Sequence, residues 1–158
     1  MTNHSGSSRS CATRGWTIFL ILWVIFIWGH SLVPGVDSSA ESSRFVDLFY
    51  GVFVRLGITE RTSMTFLVRK AAHFSEYAVL GFSAHALFKT LDAEKRTRWL
   101  VLLTALVPVC DETIQLFIPE RSGQVTDVLL DLSGMLFGAI VFLAVAKIGK
   151  WLKSLAKR

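Results

Sequence analysis

Residues 111–138 have the sequence DETIQLFIPERSGQVTDVLLDLSGMLFG, in which acidic side chains interrupt a segment apolar enough to lie in a bilayer. An acid in the hydrocarbon of a membrane costs about 2.5–3.5 kcal/mol even on lenient insertion scales. Because the segment contains Asp111, Glu112, Asp127 and Asp131, we expect these groups to face other polar groups rather than lipid.

The composition of the chain indicates a membrane protein built as one domain. Of its 158 residues, 52% are hydrophobic, and five tryptophans and twelve phenylalanines contribute to a mean hydropathy of +0.49. The net charge of +5 comes from cations that flank apolar runs, which favours a positive-inside topology over nucleic-acid binding. Cys11 and Cys110 have neither the spacing of a zinc site nor that of a disulfide framework.

Several apolar segments are long enough to cross a bilayer about 30 Å thick. The first could instead be a cleaved signal peptide ending at Ser38-Ser39-Ala40, but its length and the apolar segments behind it favour a retained helix. Pro34 and the serine-rich stretch to Ser43 are predicted to form an external loop. The predicted spans are 16–33, 64–91, 99–118 and 126–148.

Residues 44–57 follow a different pattern, with apolar side chains three and four positions apart and charged ones between them. This predicts a short amphipathic helix that lies in the membrane interface or packs over the mouth of the bundle. The predicted fold is therefore all-α: a polytopic membrane bundle of four transmembrane helices plus a short interfacial helix. Its predicted parts are a disordered cytoplasmic tail (1–15), a transmembrane domain (16–150) and a basic cytoplasmic tail (151–158).

The cations set the predicted orientation in the cell membrane. Arg9 and Arg14, the charged loop 92–98 and the basic C-terminal tail alternate as expected for four spans with both termini cytoplasmic. In this orientation the ionisable residues of the second, third and fourth spans all lie in the outer half of the membrane. Three separate helices are thus predicted to bring their charges to one depth.

Helical spacing places these residues on shared faces. Arg69, His73 and either Glu76 or Tyr77 fall on one face of the second span, and Asp111 and Gln115 are four apart on the third. On the fourth span one stripe contains Asp127, Asp131, Gly134 and Gly138, whose glycines allow another backbone to approach closely.

The charges have a structural and a functional interpretation. In the first, Arg69 and Lys70 bridge to Asp127 or Asp131 and hold the bundle together, or extend to the interface as anchors. In the second, Arg69, Lys70 and Arg121 bind a phosphate or carboxylate, and the acids bind sugar hydroxyls or an ammonium group.

Catalysis and metal binding are both open on sequence grounds. His73 with Glu76 or Asp111 could form a general-base pair, but no nucleophile motif is present. The acids and His73 are ligand types suited to Mg²⁺ or Mn²⁺, yet neighbouring arginine and lysine side chains would compete for them. We therefore predict no cofactor and no metal ligands, with a divalent cation as an alternative.

Two stretches resemble the signatures of the VanZ-like family. They are RKAAHFSEYAVLG at 69–81 and DETIQLFIPER at 111–121, followed by Asp127, Gly134 and Gly138. Asp131 departs from the family pattern, which often has asparagine there. The resemblance implies a small polytopic membrane protein of the cell envelope, associated with resistance to the glycopeptide antibiotic teicoplanin.

These observations lead to one predicted function and two alternatives. The site is predicted to bind or process an anionic, lipid-linked envelope precursor, with membrane lipids as further partners. The alternatives are a structural or accessory membrane protein and a divalent-metal-dependent membrane enzyme; whether the protein is an enzyme and how it oligomerises stay open. The candidate catalytic residues are His73, Glu76, Asp111 and Glu112, and the candidate ligand-binding residues are Arg69, Lys70, Tyr77, Gln115, Arg121, Asp127 and Asp131.

Overall fold

The computed structural model describes residues 4–156, which are arranged entirely as helices and connecting turns. The predicted all-α class is therefore confirmed for this part of the chain. The elements in chain order are α1 (His4–Ser31), α2 (Gly35–Arg55), α3 (Arg61–Phe88), α4 (Ala93–Val101), a π-helical segment (Leu102–Leu106), α5 (Val107–Gln115) and α6 (Val125–Leu155).

Two helices are long and apolar enough to cross a membrane: α1, over Ser10–Ser31, and α6. Only 11% of the apolar window of α1 and 22% of that of α6 is buried inside the protein. Most of their apolar side chains thus point outward, as expected for lipid-facing helices. Within the described residues these two helices alone meet this standard, so crossing by α3 and by α4–α5 stays a prediction.

Glycine residues allow α3 and α6 to pack with their backbones in contact. A Cβ atom at Gly81 of α3 would collide with the carbonyl group of Met135, and one at Gly138 of α6 would collide with that of Ala78. A Cβ atom at Gly134 would also collide with the carbonyl oxygen of Phe74, although less severely. The predicted role of Gly134 and Gly138 in close packing is therefore confirmed.

We expect Gly138→Ala to destabilise the protein by about 1–3 kcal/mol, because the added methyl group forces α6 away from α3. Gly149→Ala is the matched control, since no atom lies within 4 Å of a Cβ at that position of the same helix. The measurement is the thermal midpoint of the monodisperse protein in detergent. Equal midpoints for the two variants would contradict the packing.

The inner part of the bundle is an apolar core in which α1 packs across α3 and α5. The indole of Trp23 donates to the backbone carbonyl of Glu76 at 2.9 Å, and that of Trp28 donates to the carbonyl of Val107 at 3.3 Å. These bonds fix the position of α1 against both helices. The buried core comprises Leu20, Ile27, Tyr77, Leu80, Ala84, Leu87, Phe88, Leu103, Val107 and Met135.

The serine-rich stretch 35–43 is helical, which corrects the predicted external loop. Ser42 and Ser43 donate to carbonyls four residues back, so their hydroxyls are satisfied within the helix. The small residues Gly35, Ser38 and Ser42 form the buried face of α2. The predicted amphipathic segment 44–57 is thus the second part of a longer helix, which packs along α3 and leaves several large apolar side chains exposed.

The predicted charged loop 92–98 is also mostly helical. The side chain of Asp92 accepts a hydrogen bond from the backbone N–H of Lys95 and caps α4, which also lowers the pKa of Asp92. The helix continues through a π-helical segment into α5. Pro108 explains this segment, because proline cannot donate to the carbonyl four residues earlier.

Both ends of the bundle are more helical than predicted. Helix α1 already begins at His4, so residues 4–15 are its first turns rather than a disordered tail, while residues 1–3 lie outside the described part. Helix α6 continues to Leu155 and includes much of the predicted basic tail. In each case the helix formed by the apolar segment extends into the neighbouring polar residues.

Candidate functional site

Polar side chains from α3, α5 and α6 meet at one end of the bundle, as the sequence predicted. His73 Nδ1 of α3 lies 3.8 Å from Asp111 Oδ2 of α5 and 3.6 Å from Asp131 Oδ1 of α6. The side chain of His73 is 12% exposed, while both aspartates are fully buried. These three residues form the centre of the candidate site.

Several polar atoms of this centre lack a hydrogen-bond partner among the described residues. They are both carboxylate oxygens of Asp111 and of Asp131, Nδ1 of His73 and the hydroxyl of Tyr77. A buried polar group without a partner costs about 1–3 kcal/mol, and more when it is charged. The site therefore contains groups that the rest of the protein leaves unsatisfied.

Glu112 and Gln115 lie beside this centre and are hydrogen-bonded. Glu112 accepts a bond of 2.7 Å from the backbone N–H of Gln124 and a longer one, at 3.5 Å, from the amide of Gln115. Gln115 also donates to the hydroxyl of Ser31 in the last turn of α1 at 3.3 Å. These bonds join the end of α5 to α1 and to the turn before α6.

Lys70 and Asp127 form an ion pair between α3 and α6. Lys70 also lies over the ring of Phe66, with its Nζ atom 5.1 Å from the ring centroid. Asp127 is in the first turn of α6, where the helix dipole favours a negative charge. These two predicted ligand-binding residues therefore neutralise each other, as the structural interpretation of the charges predicted.

Arg121 holds the C-terminal end of α1 rather than an acid. Its guanidinium donates to the carbonyls of Val33 at 3.1 Å and His30 at 3.2 Å. A cation at this place stabilises the carbonyl end of a helix. Burial and the nearby guanidinium of Arg69 lower the pKa of Arg121, but an arginine stays protonated in proteins.

Arg69 has no carboxylate within ion-pair distance in the part of the chain that the structure describes. It lines two small cavities, one of about 60 Å³ and one of about 120 Å³, and His73 lines both as well. Arg121, His30 and Glu41 line the first cavity, and Lys70 and Asp127 line the second. The first cavity therefore contains two guanidinium groups that lack an ion-pair partner.

Helix α1 contributes residues that the sequence interpretation missed. His30 Nδ1 lies 2.7 Å from Glu76 Oε1, and His30 Nε2 lies 3.9 Å from Glu41 Oε2. Of the two carboxylates that the sequence offered as partners of His73, Glu76 contacts His30 instead, while Asp111 lies 3.8 Å from His73. The signal was present, since His30 and Ser31 end an apolar run at the predicted depth of the other polar groups.

An apolar groove of about 690 Å³ runs between α2 and α3 beside the first cavity. Phe45, Val68 and Ala72 line both the groove and the cavity, so the two spaces are adjacent. The other groove residues are Phe49, Val52, Phe53, Leu67, Ala71 and Ser75.

We expect a double-mutant cycle with Lys70→Met and Asp127→Asn to give a coupling energy of about 1–3 kcal/mol. The reason is the shielding of this pair, whose side chains are 24% and 15% exposed. The control cycle uses Glu94 and Arg98, an exposed pair on α4 whose coupling should be about 0.3–0.5 kcal/mol. The measurement is the free energy of unfolding in detergent, and equal couplings would contradict the assignment.

The fold and the site together define a class: an all-helical protein with apolar helices suited to a membrane and a buried polar centre between them. A model of the VanZ/LLP1 family matches residues 16–147. The chain therefore belongs to the VanZ/LLP1 family, which confirms the family resemblance seen in the sequence. Comparisons with curated proteins and with solved structures found no match.

Proposed function

We propose that the protein binds an anionic, lipid-linked molecule of the cell envelope at a site that opens to the outer leaflet. In this proposal the chain crosses the cell membrane four times, with both termini in the cytoplasm. The polar end of the bundle then lies at the outer surface. This location follows from the alternation of basic residues along the chain.

The observation that carries the proposal is that a cationic cavity adjoins an apolar groove, with three lining residues in common. The cavity contains Arg69 and Arg121, and the groove is lined by aromatic and aliphatic side chains of α2 and α3. A lipid-linked anion has the same two parts, a charged group and a hydrocarbon chain. The groove is also on a protein surface that is rich in exposed apolar side chains, where lipids have access to it.

The chemistry of the cavity favours a phosphate or carboxylate. Arginine guanidinium groups bind both in planar, bidentate geometry, and Arg69 has no competing carboxylate partner among the described residues. Glu41 on the cavity wall can accept a hydrogen bond from a hydroxyl or ammonium of the same ligand. The wall thus combines an anion site with a hydrogen-bond acceptor.

If the ligand is also processed, His30 is better placed than His73 to act as the general base. It lines the cavity with the two arginines, and its Nδ1 is 2.7 Å from the Glu76 carboxylate that would orient it. Binding of an envelope precursor at the outer surface would also connect the site with the teicoplanin resistance that the family resemblance implies.

We expect Arg69→Gln to weaken the binding of a polyprenyl phosphate on the order of tenfold, because one charge-assisted hydrogen-bond donor is lost. Native mass spectrometry of the detergent-solubilised protein measures the bound fraction, with phosphatidylcholine as the zwitterionic comparison. Arg44→Gln is the matched control, since it makes the same charge change on an exposed position of α2. Equal binding by both variants and the parent protein would contradict the proposal.

The groove has its own test. Ala72 lines both the cavity and the groove, so Ala72→Phe should narrow the place where they adjoin and weaken binding of the polyprenyl phosphate more than binding of a short-chain phosphate ester. The same decrease for both ligands would show that the hydrocarbon chain does not lie in this groove.

The proposed topology predicts which cysteine substitutions are accessible from outside. In a background of Cys11→Ser and Cys110→Ala, Ser122→Cys should react with a membrane-impermeant maleimide in intact cells, because it is exposed in the turn before α6. Arg96→Cys on α4 should react only after permeabilisation. Labelling of Arg96→Cys in intact cells would contradict the four-span arrangement.

A structural or accessory role is the second candidate, and specific contacts favour it. The Lys70–Asp127 ion pair and the bonds from Arg121 to the end of α1 both join helices of the bundle. Under this alternative, Arg69→Gln would leave lipid binding unchanged. Substitution of the buried centre would then act only through the amount of protein that accumulates in the membrane.

A further inference from the structure

The buried centre of the site contains more negative charge than the surrounding protein compensates. Asp111 and Asp131 are fully buried, and neither carboxylate has a hydrogen-bond partner among the described residues. The hydroxyl of Tyr77 is also buried without a hydrogen-bond partner among the described residues. Taking a charged group out of water costs several kcal/mol unless an opposite charge or hydrogen bonds replace the water.

The cations nearest to this centre are engaged elsewhere. Lys70 pairs with Asp127, and Arg121 donates to the carbonyls at the end of α1. Arginine and lysine side chains compete with a metal for acids only where they contact them. Lys70 and Arg121 form no ion pair or hydrogen bond with Asp111 or Asp131, so they leave these carboxylates open to a cation.

Two distances within the centre match those between ligands of one metal ion, and the remaining ones are no longer than 4.8 Å. Each of four residues, His73, Asp111, Glu112 and Asp131, offers a nitrogen or oxygen atom, and these atoms all lie within 4.8 Å of one another. Ligands about 2.0–2.2 Å from a shared ion are themselves about 3–4 Å apart. The separations of 3.8 Å and 3.6 Å between His73 Nδ1 and the two aspartates fall in this range.

We propose that His73, Asp111, Glu112 and Asp131 bind one divalent transition-metal cation between α3, α5 and α6. One imidazole nitrogen with carboxylate oxygens suits Zn²⁺ or Mn²⁺ better than Ca²⁺ or Mg²⁺, which prefer oxygen ligands alone. The cation replaces the missing partners of the aspartates, and Tyr77 is left to donate to a carboxylate oxygen. His73 also lines both outer cavities, so the ion reaches the centre from that side.

The metal site does not depend on the proposed lipid ligand, because the two use different residues. Arg69 and Arg121 form the anion site on the cavity wall, while the metal ligands lie behind His73 in the interior. Arg69→Gln should therefore bind the metal as the parent protein does. A loss of lipid binding in that variant leaves the metal site intact.

The test uses the full-length protein with Cys11→Ser and an affinity tag that contains no histidine. The protein is stripped with a chelator in detergent and titrated with ZnCl₂ or MnCl₂, and bound metal is counted by elemental mass spectrometry. We expect one equivalent in the parent protein, and affinity lower by about tenfold or more in His73→Gln and Asp131→Asn. His85→Ala is the matched control, since this histidine of α3 contacts a backbone carbonyl and aromatic rings instead.

Thermal unfolding separates metal binding from a purely structural role. The metal should raise the midpoint of the parent protein and of His85→Ala, but not that of Asp131→Asn. Without metal, Asp131→Asn should be at least as stable as the parent, because it removes one of two buried carboxylates that share a single possible counter-charge, His73. Absence of binding in the parent, or undiminished binding in both His73→Gln and Asp131→Asn, would overturn the proposal.

Discussion

The close contact between α3 and α6 sets the geometry of the whole polar end. Gly81, Gly134 and Gly138 let the two backbones touch, and the charged residues of both helices continue the same faces toward one end. Lys70 meets Asp127 and His73 meets Asp131 because the glycines one to three turns away fix the distance between the helix axes. A change in the packing of α3 against α6 would therefore also change the distances between the charged residues of the two helices.

The charges at this end divide into those that are matched and those that are not. Lys70 pairs with Asp127, and Arg121 donates to the end of α1, so both residues join helices. Among the described residues, Arg69 on the cavity wall has no ion-pair partner, and Asp111 and Asp131 in the interior share His73 as their one possible counter-charge. A network that served only to hold helices together would pair these opposite charges, but they remain apart, with His73 beside the acids and on the cavity wall. This separation favours ligands of opposite charge at the two places.

The sequence predicted which residues converge but not which of them pair. Helical spacing places His73 on one stripe of α3 and Asp131 on one stripe of α6, so the meeting of polar residues from these helices could be predicted. Spacing does not give the rotation of one helix about its axis relative to the next. It therefore leaves Glu76 and Asp111 open as partners of His73 and does not predict the contact between Glu76 and His30. The serine-rich start of α2 was also missed, because serine favours turns locally, whereas close helix packing requires small residues.

The unmatched acids link the occupancy of the site to the stability of the fold. Two fully buried carboxylates that share one possible counter-charge, His73, oppose the packing of α3, α5 and α6 while both are ionised. A ligand that binds only the folded state raises the free energy of unfolding, by about 2.7 kcal/mol when its concentration is a hundred times its dissociation constant. The glycine contacts bring the acids together, and the proposed cation removes their repulsion. Folding of the bundle and binding of the ion are thus thermodynamically coupled, so that each favours the other.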